Sequence, residues 1–267
     1  EYRPLLLAAR LEELDRELQG FAYEGAAMGL ALLDTVTPWR RDRFQRFVEG
    51  PGDAHAYISY VGAGWVLARL PVPMESFLAR FPPMMRWLAL DGYGFHEGYF
   101  HWPRSVERRE VPSRLRGYAR RGFDQGLGRS LWFVDGADVR LLPKTIGAFP
   151  MERQGDLWSG LGLACGYAGG RTRAEIEELR RAAGPFAPQL AQGVAFAAEA
   201  RQRAGNMAPQ TVLAAEVVCG VSAEEAAAVT NVVRPVAPAG EPVAVAEPAF
   251  EVWRRRIQEH FSTRSST

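Results

Sequence analysis

Glu97 and His101 are the residues in this chain whose types and spacing most suggest chemistry. They lie four apart in "DGYGFHEGYFHWP" (91–103), so on a helix they share a face. A carboxylate and an imidazole so placed can pass a proton, chelate a metal, or form a hydrogen-bonded pair near a helix end. His96 and His101 are five apart and point about 140° from each other on an ideal helix. That spacing does not match the paired histidines of a zinc protease helix. We therefore assign Glu97 and His101 as candidate proton carriers, with Asp91 in support. The sequence is assigned no metal and no cofactor. His96, Tyr93, Tyr99 and Trp65 are candidate ligand-contacting residues around this pair. His55 follows "PGD", where Asp53 caps a helix, and is expected at the surface.

A second group comes from position. Glu24, Val61, Asp91, Gln125, Ser159 and Gln192 each precede a glycine in an otherwise apolar segment. Five of the six are polar. They could line one groove, or they could tie neighbouring segments together by hydrogen bonds. Glu24 and Gln125 join the candidate ligand-binding set on this basis. In "GYARRGFDQGLGRSLWF" (117–133), Arg120 and Arg121 precede Asp124 at helix ion-pair spacing, and Arg129 follows. Asp124 and Arg129 complete the set. "GLGRS" lacks the lysine of a phosphate loop, "DGYG" follows no strand, and "WSGLG" is no nucleophile elbow.

The elements that must position these residues are helices. Apolar periodicity predicts helices over about 21–34, 39–49, 54–69, 83–101, 113–133, 138–148, 153–168, 172–183, 188–204, 209–219 and 222–233. A first helix carrying Leu5, Leu6, Leu11, Leu14 and Leu18 on one face is expected to stop at Gly20. The motif glycines Gly25, Gly62, Gly92, Gly126, Gly160 and Gly193 recur about every 34 residues. Three positions on stand Met28, Trp65, Phe95, Leu163 and Phe196, with Arg129 as the exception. This period predicts an all-α fold of divergent helical hairpins of tetratricopeptide (TPR-like) type, forming a solenoid or an irregular helical bundle. Residues 1–234 are read as one helical-repeat domain. Residues 235–249, rich in Pro, Ala and Val, are a linker, and 250–267 hold an amphipathic helix and tail. Phe250, Trp253, Ile257 and Phe261 share one face of that helix, with Arg254 to Arg256 opposite or flanking. It is expected to dock on its own core or on a partner subunit, the latter making a homodimer.

Composition narrows the partners. A net charge of +1 supplies no field for nucleic acid, and no apolar run is long enough to span a membrane. Cys165 and Cys219 sit in apolar runs, form no CxxC, and fit a reducing cytoplasm.

The segments "GFAYEGAAMGLALLD", "DGYGFHEGYFHWP", "GYARRGFDQGLGRSLWFVDGADV", "FPMERQGDLWSGLGLACGYAGG" and "LAQGVAFAAEARQRAG" resemble the UnbL-type proteins of enediyne antibiotic gene clusters, from about Gly20 to Val233. The resemblance implies a role beside the enediyne polyketide synthase in converting its linear polyene product, with other pathway proteins as partners. It supplies no catalytic residues. A glycine-rich groove lined by aromatic rings would suit a long, flat, apolar polyene. The competing expectation is a non-enzymatic scaffold that docks the synthase or its partners.

Overall fold

A computed structural model describes residues 3–37, 39 and 41–264. The ends of the expected segments, 1–2 and 265–267, lie outside the described residues. Among those described there is no strand. The helices are α1 (Pro4–Glu12), α2 (Arg16–Val36), α3 (Arg43–Val48), α4 (Ala56–Ala63), α5 (Trp65–Arg69), α6 (Met74–Leu78), α7 (Arg86–Phe100) and α8 (Ala119–Val134). They continue with α9 (Leu142–Gly147), α10 (Met151–Ala168), α11 (Arg173–Ala183), α12 (Ala187–Arg203), α13 (Pro209–Ala214), α14 (Ala223–Val232) and α15 (Ala249–Arg264). No helix among the described residues is long and apolar enough to cross a membrane.

The glycine motif falls on α2, α4, α7, α8, α10 and α12, and it sets how they pack. A Cβ on Gly62, Gly92, Gly126, Gly160 or Gly193 would lie 1.7–2.2 Å from a carbonyl oxygen of the preceding motif helix. Each of those carbonyls belongs to the residue before that helix's own motif glycine: Glu24, Val61, Asp91, Gln125 and Ser159. The contact is reciprocal. A Cβ on Gly64, Gly94, Gly128 or Gly162 would lie 1.9–2.0 Å from a carbonyl of the following motif helix. Glycine costs about 1 kcal/mol relative to alanine inside a helix, and here the return is backbone-to-backbone contact. The pairs advance together along α7 and α8: Trp87 meets Gly122, Asp91 meets Gly126, and Gly98 meets Ser130. These helices therefore run parallel.

The two ends of the series meet. Phe21 on α2 packs edge-on against Tyr167 on α10, with centroids 5.4 Å apart, and Gly20 leaves room for the Tyr167 hydroxyl. Arg201 on α12 is fully buried and donates to the carbonyls of Tyr167 (2.7 Å) and Glu17 (3.4 Å). Asn206 donates to the Arg16 carbonyl at 3.1 Å.

Several expected boundaries move. The first helix ends at Glu12, not at Gly20. Asp15 starts a new one by accepting from the Glu17 amide at 3.1 Å, and α2 runs through Gly20. Leu5, Leu6, Leu14 and Leu18 are exposed, so they do not form a buried face. The helix expected from 113 begins at Ala119, because 108–118 is occupied by turns. The helix expected at 39–49 is only Arg43–Val48. The 235–249 stretch carries no helix before Ala249. Helix α15 then docks on its own chain, burying Phe250, Trp253, Ile257 and Phe261.

Candidate functional site

The motif helices α4, α7, α8, α10 and α12, with α15, line an apolar chamber. Its cavity is small, about 40 Å³, so its walls must part to admit a ligand of any length. Tyr57 and Val61 from α4, Leu88 from α7, Leu163 and Tyr167 from α10, Phe196 from α12, and Phe250 and Trp253 from α15 line it. Arg129 from α8 reaches the same wall. Residues three beyond a motif glycine thus point inward in three successive repeats: Arg129, Leu163 and Phe196. The charged exception in an apolar series is the one cation of that set. Arg129 also lies over the Phe95 ring, 4.2 Å from its centroid.

Behind this wall the polar pre-glycine residues form a buried ladder across the helices. Gln125 donates to Asp91 at 2.9 Å, and Arg129 Nε donates to the other Asp91 oxygen at 2.8 Å. Ser159 donates to Gln192 Oε1 at 2.8 Å, which also accepts from Arg254 Nε at 3.3 Å. Arg254 continues to Asp156 (2.7 Å), Glu251 (3.1 Å) and the Tyr118 hydroxyl (3.3 Å). It is fully buried, whereas the sequence pattern placed it on or beside the polar face of α15. At the other end Glu24 Oε1 stands 3.7 Å from Arg129 Nη2, too far for a hydrogen bond. Neither atom has a hydrogen-bond partner among the described residues. Burial raises the Glu24 carboxyl, Arg129 opposes this, and Asp91 adds to it, for a net upward shift.

Glu97 and His101 are not part of this wall. They sit on the opposite side of α7 and open on an outer cleft with Tyr93, Arg104, Arg108 and Arg114. Glu97 Oε1 is 3.3 Å from His101 Nδ1 and 3.2 Å from His96 Nδ1. The sequence joins only one histidine to Glu97; the structure joins both. His101 is the C-cap, with φ −125° and ψ 34°, so ideal-helix directions no longer apply to it. Burial pushes the Glu97 carboxyl up, but the hydrogen bonds and charges of the two imidazoles outweigh it and hold it below its ordinary range. Among the described residues, His96, Glu97 and His101 are the group whose ligand atoms converge as a metal site requires, all within 4.8 Å of one another.

The remaining candidates are dispersed. Tyr93 lies under Arg114, whose guanidinium is 4.7 Å from the ring centroid. Tyr99 lines a third depression with Trp102 and Phe133. Trp65 packs against His96, Phe95 and Phe100. Asp124 pairs with Arg153 at 2.6 and 2.9 Å, not with Arg120 or Arg121 as the local spacing suggested. Arg121 instead joins Asp156 (3.0 Å) and Glu251 (2.7 Å). His55 is buried, not at the surface, stacked on Tyr23 with centroids 4.0 Å apart.

A family model described as protein of unknown function, DUF1702, matches residues 2–261. The chain belongs to this DUF1702 family. No curated protein and no solved structure matches it. The match covers the motif helices and α15 as far as residue 261, so Phe250 and Trp253, which complete the chamber, lie within it. The chamber-lining residues that sequence reasoning missed include Tyr57, Leu88, Tyr167, Glu199, Phe250 and Trp253. Only the position three beyond the glycine could have pointed to the chamber, and it pointed to Leu163, Phe196 and Arg129.

Proposed function

We propose that this DUF1702 chain binds an elongated apolar ligand in its central chamber, with Arg129 meeting an oxygen atom at one end of that ligand. The observation that carries this reading is the Arg129 guanidinium on a wall otherwise lined by apolar and aromatic side chains and Glu199, its Nη2 without a hydrogen bond and 3.7 Å from Glu24 Oε1. Buried donors without partners are costly, and a ligand oxygen would repay that cost. The finer reading is that the ligand is the linear polyene of an enediyne polyketide synthase, held while the cytoplasmic pathway proteins convert it. It rests on the family resemblance and on the aromatic rings of Tyr57, Phe196, Phe250 and Trp253. In the same reading, the glycine-motif helices are divergent TPR-like hairpins whose motif helices are the chamber wall.

The test is titration with a conjugated polyene fatty acid, read by quenching of tryptophan fluorescence and by the polyene's absorbance. Saturable binding is expected in the native chain. Leu163→Trp would fill the chamber and abolish it, with the helical circular dichroism retained. Binding that survives Leu163→Trp would sink the proposal. A scaffold role is the second reading, favoured by the exposed Leu5, Leu6, Leu14 and Leu18 at one edge. It predicts no saturable polyene binding.

A further inference from the structure

The last turn of α7 has a use that the chamber does not explain. His96 and Glu97 are consecutive and buried, and His101 folds back over them from the C-cap. Two of the chain's four histidines meet one carboxylate there. Ligand atoms bonded to one tetrahedral metal at about 2.0–2.2 Å lie roughly 3.3 Å apart. The observed N···O separations are 3.2 and 3.3 Å. The three ligand atoms lie within 4.8 Å of one another, so a metal would need the two imidazoles to draw closer around Glu97.

The surroundings favour a metal over a plain hydrogen-bonded cluster. His96 is 1% exposed and is held between Trp65 and Phe100, with ring centroids 5.1 and 4.9 Å away. Its Nε2 has no partner, so every polar contact of this ring is made through Nδ1 at Glu97. The His101 side chain is half exposed and stands at the cleft, so ions and oxygen ligands can reach the point where the three groups converge. Both cysteines are buried away from it, and burial pushes both thiols up, so neither competes for a metal.

We propose that His96, Glu97 and His101 bind one divalent transition-metal ion of the zinc or iron(II) class, leaving coordination positions open to the outer cleft. Two imidazoles and one carboxylate suit both metals: zinc with a fourth position open, or iron(II) as a facial triad. Magnesium and calcium, which prefer all-oxygen sites, are excluded by the same donor set. Arg104 and Arg108 at the cleft are already paired with Glu110 at 2.8 Å each, which leaves Arg114, over the Tyr93 ring, as the cation nearest to favour an anionic oxygen donor as the additional ligand. This proposal does not depend on the chamber reading.

The experiment uses the full chain, stripped with chelator and titrated anaerobically with Co2+, read by visible d–d absorption. Zn2+, Fe2+ and Mg2+ then serve as competitors, and circular dichroism checks the fold. One equivalent of Co2+ is expected to bind, with displacement by Zn2+ or Fe2+ but not by Mg2+. His101→Ala should weaken Co2+ binding by more than about 100-fold, beyond what outer-shell changes do. Because His101 is half exposed at a helix end, this variant is expected to keep its fold. Glu97→Gln should weaken binding as well, and Arg108→Ala should not. Co2+ binding that is absent, or unchanged by His101→Ala, overturns the proposal.

Discussion

Replacing Gly126 by alanine tests the packing that shapes the whole molecule. The new Cβ would lie 1.7 Å from the Asp91 carbonyl oxygen, 2.5 Å from its carbon and 2.8 Å from its Cα. Ordinary contact begins at 3.4 Å, and all three atoms are backbone, so no side chain can swing aside. Helices α7 and α8 must separate instead. That movement stretches the Gln125–Asp91 and Arg129–Asp91 bonds, now 2.9 and 2.8 Å. Overpacking costs about 1–3 kcal/mol and sometimes more. Weakening buried bonds to a charged acceptor adds about 1.5–3 kcal/mol, and alanine's helix propensity returns about 1 kcal/mol. The net loss is about 1.5–5 kcal/mol, a large share of the roughly 5–15 kcal/mol that holds a native protein together. Gly25 is the internal control, since its Cβ would meet nothing within 4 Å. Gly25→Ala should stabilise by up to about 1 kcal/mol. Urea unfolding of both variants, followed by far-ultraviolet circular dichroism, measures the contrast. The reasoning fails if Gly126→Ala unfolds within 1 kcal/mol of the native chain, or if Gly25→Ala is equally damaging.

Other perturbations report on other parts of the structure. Arg254→Ala leaves Asp156 and Glu251 with Arg121 alone and removes a donor to Gln192, and should cost about 3 kcal/mol; earlier tryptic cleavage near α15, beside the urea midpoint, would show it. Ser159→Ala removes one rung of the ladder, and the expected loss is about 1 kcal/mol by the same unfolding assay. His55 gives a pH signature: burial, then Arg201, pushes its imidazole down to about 4. The unfolded chain takes up that proton near pH 6.5, so the His55 contribution is full above 6.5 and declines as pH falls toward 4. His55→Gln should therefore flatten the fall in melting temperature between pH 7 and 5, and parallel slopes for the two proteins would count against a buried neutral imidazole.

The sequence carried the helices, the motif glycines and the polar residues before them, because these follow from periodicity and composition. It could not say whether the polar residues face a groove or each other. Asp91, Gln125, Ser159 and Gln192 face each other, and that depends on neighbouring helices lying in register. The Arg129 exception in the apolar series was legible, and it marks the charged point of the chamber wall. Three errors share one cause, the use of local spacing where a distant contact decides. Arg153 takes Asp124 from Arg120 and Arg121. Tyr23 covers His55. Asp156 draws Arg254 inward from a face that reads as polar. The His96 error is of another kind: the ideal helix was extended one residue past its end, into the C-cap.

The glycine–carbonyl contacts also limit how the chamber can open. Sliding one motif helix past its neighbour by a residue would carry each glycine away from its carbonyl and bring a Cβ into its place. Shear between α7, α8, α10 and α12 is therefore blocked, and these helices move as one wall. Helix α15 is attached differently, through side chains and the Arg254 ion cluster, with no glycine contact to lock its register. Displacing it would break that cluster and also uncover Phe250, Trp253, Ile257 and Phe261, at about 1.5–3 kcal/mol for each side chain, so α15 is held by side chains where the motif helices are held by backbone contact.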